Sequence, residues 1–397
     1  MMPISPLAEI GARCAVTIRS GAALLLATLA MAAPASADFD TRAEAAIVVD
    51  MTTGTTLLEK NADVPLPPAS MSKLMTLNML FEAIEDGRVS LDETFSVSSR
   101  ARQMGGSKMF LDERDRPTAE DLIRGIAVLS GNDATVVVAE GLAGTEETFA
   151  RRATERARAL GMEQTTIANA SGWPDPEHRM SMRDLTILAQ RLITEFPQYY
   201  DVLSEPEATW NNITQENRLP LLGDGLGMDG LKTGFTSEAG YSLTGSARQG
   251  DRRIVFAFSG LDSSSARIEE AERIINWAFR QFVMRDVVQA GARVASADVW
   301  LGEADSVALS VAEDLHLLLP ATVQEELSAR VEYEGPVEAP ISAGQQIGQL
   351  VIEVPEMETV RVPLVADHAV ARGGFGVRLR AAATLLMRQL RDEAAGF

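Results

Sequence analysis

The chain has 397 residues, of which 46% are hydrophobic, 23% charged and 5% aromatic, and its formal net charge is −20. This length accommodates two or three domains with a full core, and the apolar fraction excludes disorder of the whole chain. An acidic chain repels a phosphate backbone, so no nucleic-acid partner is expected; three scattered histidines, His178, His316 and His368, offer no metal-ligand spacing, so neither metal nor other cofactor is expected.

Residues 1–37 read as an export signal. Arg13 and Arg19 supply positive charge, Gly21 to Ala32 form an apolar run too short to span a bilayer comfortably, and Ala35-Ser36-Ala37 provides a small-residue cleavage site. The only cysteine, Cys14, lies inside this segment, so the mature chain is expected to be held by its core and not by disulfides.

Ala45–Asp50 and Thr55–Glu59 are short β-type runs around Thr53-Gly54, which predicts a hairpin. Pro65, Pro67 and Pro68 then forbid helix until Ser70. From Ser70 to Glu85 the apolar spacing is helical, through Leu74, Leu77, Leu80, Phe81 and Ile84, and Gly87 ends it. Residues 118–160 are mostly helical with a break at Ser130-Gly131-Asn132, and residues 181–195 give another amphipathic helix. From Gly230 the period changes to two, so Tyr241–Arg248 and Arg252–Gly260 read as adjacent antiparallel strands, and Glu269–Phe282 returns to helix. The economical fold is α+β: one antiparallel sheet built from early and late strands, covered by helices, over residues 38–285.

After about Arg285 the chain consists of short strands separated by Gly, Pro and Glu, which predicts a small all-β domain over residues 286–372. Gly373-Gly374 reads as a hinge. Residues 373–397 read as an amphipathic helix, with Phe375, Leu379, Ala383, Leu386 and Leu390 expected on one face and Arg380, Arg388 and Arg391 on the other, a pattern suited to peripheral contact with a membrane surface.

The chain contains only four lysines, Lys60, Lys73, Lys108 and Lys232, against 32 arginines. Arginine does not lose its proton in a protein and lysine can, so a lysine kept for chemistry should sit beside a reactive group. Ser70-Met71-Ser72-Lys73 places a hydroxyl and an amine on one helical face. The serine becomes a nucleophile when a neutral amine takes its proton, which requires the lysine pKa to fall from about 10.4 to roughly 7–8. Ser130-Gly131-Asn132 sets a hydroxyl and an amide two residues apart at a tight break, able to face one cleft. Lys232-Thr233-Gly234 opens the β-rich stretch; lysine and threonine there suit a carboxylate, and the glycine permits close approach of a ligand to the backbone. Alone, each triplet also reads as an ordinary cap, turn or strand end.

In this order the three motifs resemble the S-x-x-K, S-D-N and K-T-G set of penicillin-binding proteins and class A β-lactamases, with S-G-N in the middle. The longer strings PPASMSKLMT at 67–76, LIRGIAVLSGNDA at 122–134 and MDGLKTGFTSEAGYSLTGSA at 228–247 make the chain similar to the low-molecular-mass penicillin-binding proteins that are serine-type D-alanyl-D-alanine carboxypeptidases. The resemblance implies a periplasmic hydrolase with a transpeptidase-like catalytic domain, acting on peptidoglycan pentapeptides and acylated by β-lactams. It implies that Ser70 attacks the penultimate carbonyl, Lys73 is its base, and Ser130 with Lys232 assists proton transfer to the departing D-alanine. Asn132, Thr233 and Gly234 would orient the peptide and its carboxylate, with help from Arg218. The backbone N–H groups of Ser70 and Phe235 would form the oxyanion hole. Two positions depart from close relatives: Phe235 and Ser171 each stand where histidine is frequent. A β-lactamase would need a deacylating glutamate in an E-x-x-L-N setting, and none occurs between Asn132 and Lys232. His178, beside Asp175, Pro176 and Glu177, reads as a solvated loop residue.

Overall fold

The computed structural model of the protein describes residues 39–321, 328–353, 359–377 and 379. The expected leader, and the expected terminal helix beyond Leu379, lie outside the described residues.

The chain enters through β1 (Ala45–Asp50) and β2 (Thr55–Lys60), the predicted antiparallel hairpin. Asp50 closes its turn by accepting the Thr53 N–H at 2.9 Å. The helical section follows: α1 (Lys73–Glu85), α2 (Ser99–Gln103), α3 (Ala119–Ala127), α4 (Asn132–Ala143), α5 (Glu146–Ala159), α6 (Met182–Glu195) and the single turn α7 (Pro197–Tyr200). Thr118, Thr145 and Ser181 cap α3, α5 and α6 by accepting a first-turn N–H, which marks where each helix begins. A small hairpin, β3 (Glu207–Trp210) and β4 (Ile213–Glu216), precedes β5 (Met228–Thr236), β6 (Gly240–Gln249), β7 (Arg252–Leu261) and the long helix α8 (Ser264–Gln281).

The central sheet runs β2-β1-β7-β6-β5, entirely antiparallel, so the first strands of the chain pair with the late ones. Its two faces have separate cores, and strand alternation sorts side chains between them. Ala45, Ile47, Val49, Val255 and Ala257 face a core shared with Leu74, Leu77 and Phe81 of α1 and Leu185 and Leu188 of α6. Ala46, Val48, Ile254, Phe256 and Phe258 face α8, through Ala271, Ile274, Ile275 and Ala278. Cover on both faces explains why Ala45–Asp50 is buried throughout and why its first five residues read as a continuous apolar run. Strand β5 stands at one edge.

From α8 the chain passes into β8 (Phe282–Val288), β9 (Arg293–Trp300), β10 (Ser306–Val311), β11 (Leu315–Pro320), β12 (Ser328–Tyr333), β13 (Val337–Glu338), β14 (Gln346–Glu353) and β15 (Val360–Ala366). These make a six-stranded sheet, β12-β14-β15-β10-β9-β13, and a two-stranded one, β11-β8, around a third core that includes Val307, Leu309, Leu350 and Leu364. The boundary expected at residue 285 falls inside β8.

Candidate active site

After the prolines, Ala69 takes a left-handed φ of +50°, which a regular helix does not admit. Ala69–Ser72 therefore forms one 3-10 turn and α1 begins only at Lys73, a correction to the helix start expected at Ser70. The tighter turn brings the pair closer, because residues i and i+3 eclipse in a 3-10 helix. Lys73 Nζ lies 2.7 Å from Ser70 Oγ and donates to the Ser171 carbonyl at 2.6 Å. The Lys73 side chain is fully buried. Its pKa is pushed well below the usual lysine value, first by burial, then by the cations of Lys232 and Arg218, against an opposing pull from Asp133.

Ser130, Gly131 and Asn132 occupy the junction of α3 and α4. Ser130 is buried with φ +58°, a conformation that costs a non-glycine residue on the order of 1–3 kcal/mol. The junction is tied down by Gly131 N–H to the Gly125 carbonyl and Asn132 N–H to the Ser107 carbonyl, both at 2.8 Å. The adjacent buried Asp133 carboxylate accepts the N–H groups of Met109 and Leu111, at 2.8 and 3.0 Å, and so fixes the 105–111 loop beside the junction. The Asn132 amide donates to the Gly105 carbonyl at 2.8 Å. Gly106 and Ser107 of this loop line the cleft, whereas the Lys108 ammonium turns away to the Arg102 carbonyl.

The opposite wall is the edge strand β5. Lys232 is buried, and its pKa falls to about 7, chiefly through burial and then through Arg218 and Arg267. Gly234 serves a purpose different from the one its sequence context suggests. A Cβ there would come within 2.4 Å of Ser242 Oγ, 3.1 Å of the Pro68 carbonyl and 3.2 Å of Ala69 Cβ, so the glycine lets β5 pack on the Ser70 turn. Phe235 is half exposed and packs on Tyr241, ring centroids 4.3 Å apart.

Ser70, Ser130, Asn132, Arg218, Thr233, Gly234 and Phe235 all line one cleft of about 490 Å³, with Lys73 and Lys232 buried behind it. The same cleft contains Arg267 of α8, which sequence reasoning missed; nothing in a chain of 32 arginines distinguishes it. Arg267 is buried, its Nε has no hydrogen-bond partner, and its guanidinium sits 5.5 Å from the Tyr241 ring centroid. Arg218 donates to Ser107 Oγ. Lys232, Arg218 and Arg267 thus converge on the Thr233 end of the cleft, which is the chemistry of an anion site. The Ser171 carbonyl that holds Lys73 was also missed, since any residue supplies a carbonyl. The Ser171 hydroxyl itself engages Asn169 Oδ1 and the Trp173 N–H, each at 3.2 Å.

His178 is a correction. It is buried and not solvated: its Nδ1 accepts the Ala168 N–H at 3.3 Å, its Nε2 is buried without a partner, and burial lowers its pKa to about 4.

A serine hydroxyl against a buried lysine, a hydroxyl-amide junction and a cationic edge strand around one cleft are the setting of a serine-type acyl-transfer enzyme. The peptidase S11 family, described as D-alanyl-D-alanine carboxypeptidase, matches residues 30–261, and the penicillin-binding protein 5 C-terminal domain matches residues 282–372. The chain belongs to this S11 family, and the protein is a serine-type carboxypeptidase, a hydrolase. It is 35% identical to the D-alanyl-D-alanine carboxypeptidase DacD of Salmonella typhimurium, over 84% of this chain and 87% of the relative. It is 31% identical to DacF of Bacillus subtilis, over 84% and 87%. Among solved structures it resembles DacD from Francisella tularensis (TM-score 0.75, 28% identity, 86% of this chain and 96% of that one). Penicillin-binding protein 5 from Haemophilus influenzae is similar too (TM-score 0.73, 30% identity, 84% and 99%).

Proposed function

We propose that the protein removes the terminal D-alanine from peptidoglycan pentapeptides through a Ser70 acyl-enzyme, and that β-lactams acylate the same serine. The observation that carries the residue roles is the 2.7 Å contact between Ser70 Oγ and a buried Lys73 whose pKa is pushed well below the usual lysine value. Neutral Lys73 accepts the Ser70 proton as Oγ attacks the penultimate carbonyl. The oxyanion is held by the Ser70 and Phe235 N–H groups. The C–N bond breaks, and the proton on Lys73 passes by way of Ser130 to the nitrogen of the departing D-alanine. Water then hydrolyses the ester. Lys232, Thr233, Arg218 and Arg267 hold the terminal carboxylate, Asn132 holds the peptide amide, and Gly234 keeps β5 against the Ser70 turn.

The enzyme works in the periplasm after loss of residues 1–37, with residues 38–285 as the catalytic domain and 286–372 as a β-domain. Residues 373–397 rest on the membrane surface. Phe375 and Leu379, exposed at the start of that segment, support this reading. Among the described residues no helix is long and apolar enough to cross a membrane.

Pentapeptide incubated with the wild type should release D-alanine, and Ser70→Ala should abolish both release and covalent labelling by penicillin. Labelling that persists in the variant would sink the nucleophile assignment.

A further inference from the structure

Three side chains stack at the carboxylate end of the cleft, and all three line it. Phe235 of β5 lies directly opposite Tyr241 of β6 in the antiparallel register, with ring centroids 4.3 Å apart. The Arg267 guanidinium of α8 lies 5.5 Å from the Tyr241 centroid. The register of β6 on β7 slips between Tyr241 and Leu243, an irregularity of the kind that re-aims a side chain.

Arg267 is held by little else. Its Nη1 reaches the Gly234 carbonyl at 3.5 Å and its Nη2 reaches Ser264 Oγ at 3.3 Å, both longer than the usual N–H···O distance, and its Nε has no partner. Neither Arg267 nor Arg218 forms an ion pair among the described residues. Burial holds the Arg267 pKa below the usual arginine value, so no anion compensates its charge. A long side chain on two long hydrogen bonds has several rotamers open to it. The flat face of a fixed ring restricts the guanidinium while leaving its N–H groups free for a planar carboxylate. Phe235 packs on that ring and restricts it in turn. An uncharged brace suits this place, because Lys232, Arg218 and Arg267 already converge there.

We propose that Tyr241, braced by Phe235, is the positioning residue for Arg267, and that this stack sets the preference of the enzyme for substrates ending in a free carboxylate. The inference rests on the carboxypeptidase reading above and names what holds its anion site in shape.

The test compares Nα,Nε-diacetyl-L-Lys-D-Ala-D-Ala with its C-terminal amide, which offers Arg267 no charge. Tyr241→Leu should raise KM for the acid by about tenfold, the size expected for a desolvated cation–ring contact. With kcat within about twofold and the amide nearly unaffected, the acid-to-amide ratio of kcat/KM should fall by about tenfold. Tyr241→Phe, which keeps the ring, should retain the wild-type ratio. In an Arg267→Gln background Tyr241→Leu should change nothing further, because its effect passes through Arg267. Phe235→Leu, at an exposed position and with its main-chain N–H unchanged, should lower the ratio by about threefold, and it reads the stack should Tyr241→Leu fail to fold. An unchanged ratio, equal losses for acid and amide, the same loss in Tyr241→Phe, or full additivity with Arg267→Gln overturns the proposal. Rates of acylation by benzylpenicillin and by its methyl ester give the corresponding ratio without turnover. A fall of that ratio in Tyr241→Leu, with no D-alanine released from the acid by the wild type, would refute the carboxypeptidase reading and leave the stack standing.

Discussion

Lys60, Lys73 and Lys108 each donate to a main-chain carbonyl, of Thr41, Ser171 and Arg102, and none of the four lysines forms an ion pair among the described residues. Buried or half-buried pairs such as Arg252 with Asp50 and Arg156 with Glu82 are made by arginine. That division follows from proton chemistry, because only lysine can be neutral in a buried site. The sequence alone could therefore flag Lys73 and Lys232, but it could not show that burial would be the first cause of both lowered pKa values. His178 was illegible for the same reason: its polar neighbours suggest a solvated loop, and burial is a tertiary property. Its folded-state pKa of about 4 lies below the ordinary 6.5, so between those values the unfolded chain binds more protons. The stability linked to His178 is fully present above pH 6.5 and is lost as pH falls toward 4. The loss should reach about 3 kcal/mol, from about 1.4 kcal/mol per pH unit. Urea titrations at pH 7 and pH 4 should show this component in the wild type and not in His178→Gln; equal losses in both would assign it to other groups.

At the scale of elements, three pieces of backbone meet at Ser70: the 3-10 turn, the β5 edge and the 168–175 loop. Two glycines set their spacing. A Cβ on Gly172 would lie 1.8 Å from the Ala69 carbonyl oxygen and 2.7 Å from Ser72 Oγ, and its φ of +77° already disfavours any other residue. Gly172→Ala must move either the Ser171 carbonyl off Lys73 or the Ser70 turn off β5. A displacement near 1 Å slows penicillin acylation by about a hundredfold. Stopped-flow acylation rates check this, and a rate within twofold of wild type would show that the loop yields without disturbing the turn. The periodic elements were readable because amphipathic spacing is local: the β1–β2 hairpin, α6 and the β6–β7 pair lie within a residue or two of their expected bounds. The 3-10 turn was not, since it depends on one left-handed alanine. The β3–β4 hairpin did carry a signal. Asn211 and Asn212 both adopt positive φ, and paired asparagines between short β-type runs favour a primed turn.

For the molecule as a whole, every residue of the proposed machinery lies between Ser70 and Arg267, and among the described residues the C-terminal strands meet this region through groups at the end of α8. Arg252 donates to the Phe282 carbonyl at 2.9 Å, the Ala321 N–H to the Gln281 carbonyl at 2.8 Å, and Trp277 packs edge-on against Phe282 with centroids 5.1 Å apart. A smaller crevice separates the β1–β2 turn from β11. The change from helix-rich to strand-rich texture was visible in the sequence, but its position was not sharp, because β8 begins directly from α8 and draws its partner from β11, beyond it in the chain. A chain of residues 38–285 keeps Phe282 on Trp277 and Arg252 and loses only half of β8. Distant, independent sites act additively, so its second-order rate of acylation by benzylpenicillin should stay within about twofold of the longer chain. Its melting temperature should fall by about 2–4 °C for each kcal/mol of interface contact removed. Acylation slowed more than about tenfold in a chain that circular dichroism shows to be folded would mean that the β-domain orders the cleft, and the catalytic domain would then have to be drawn to include it.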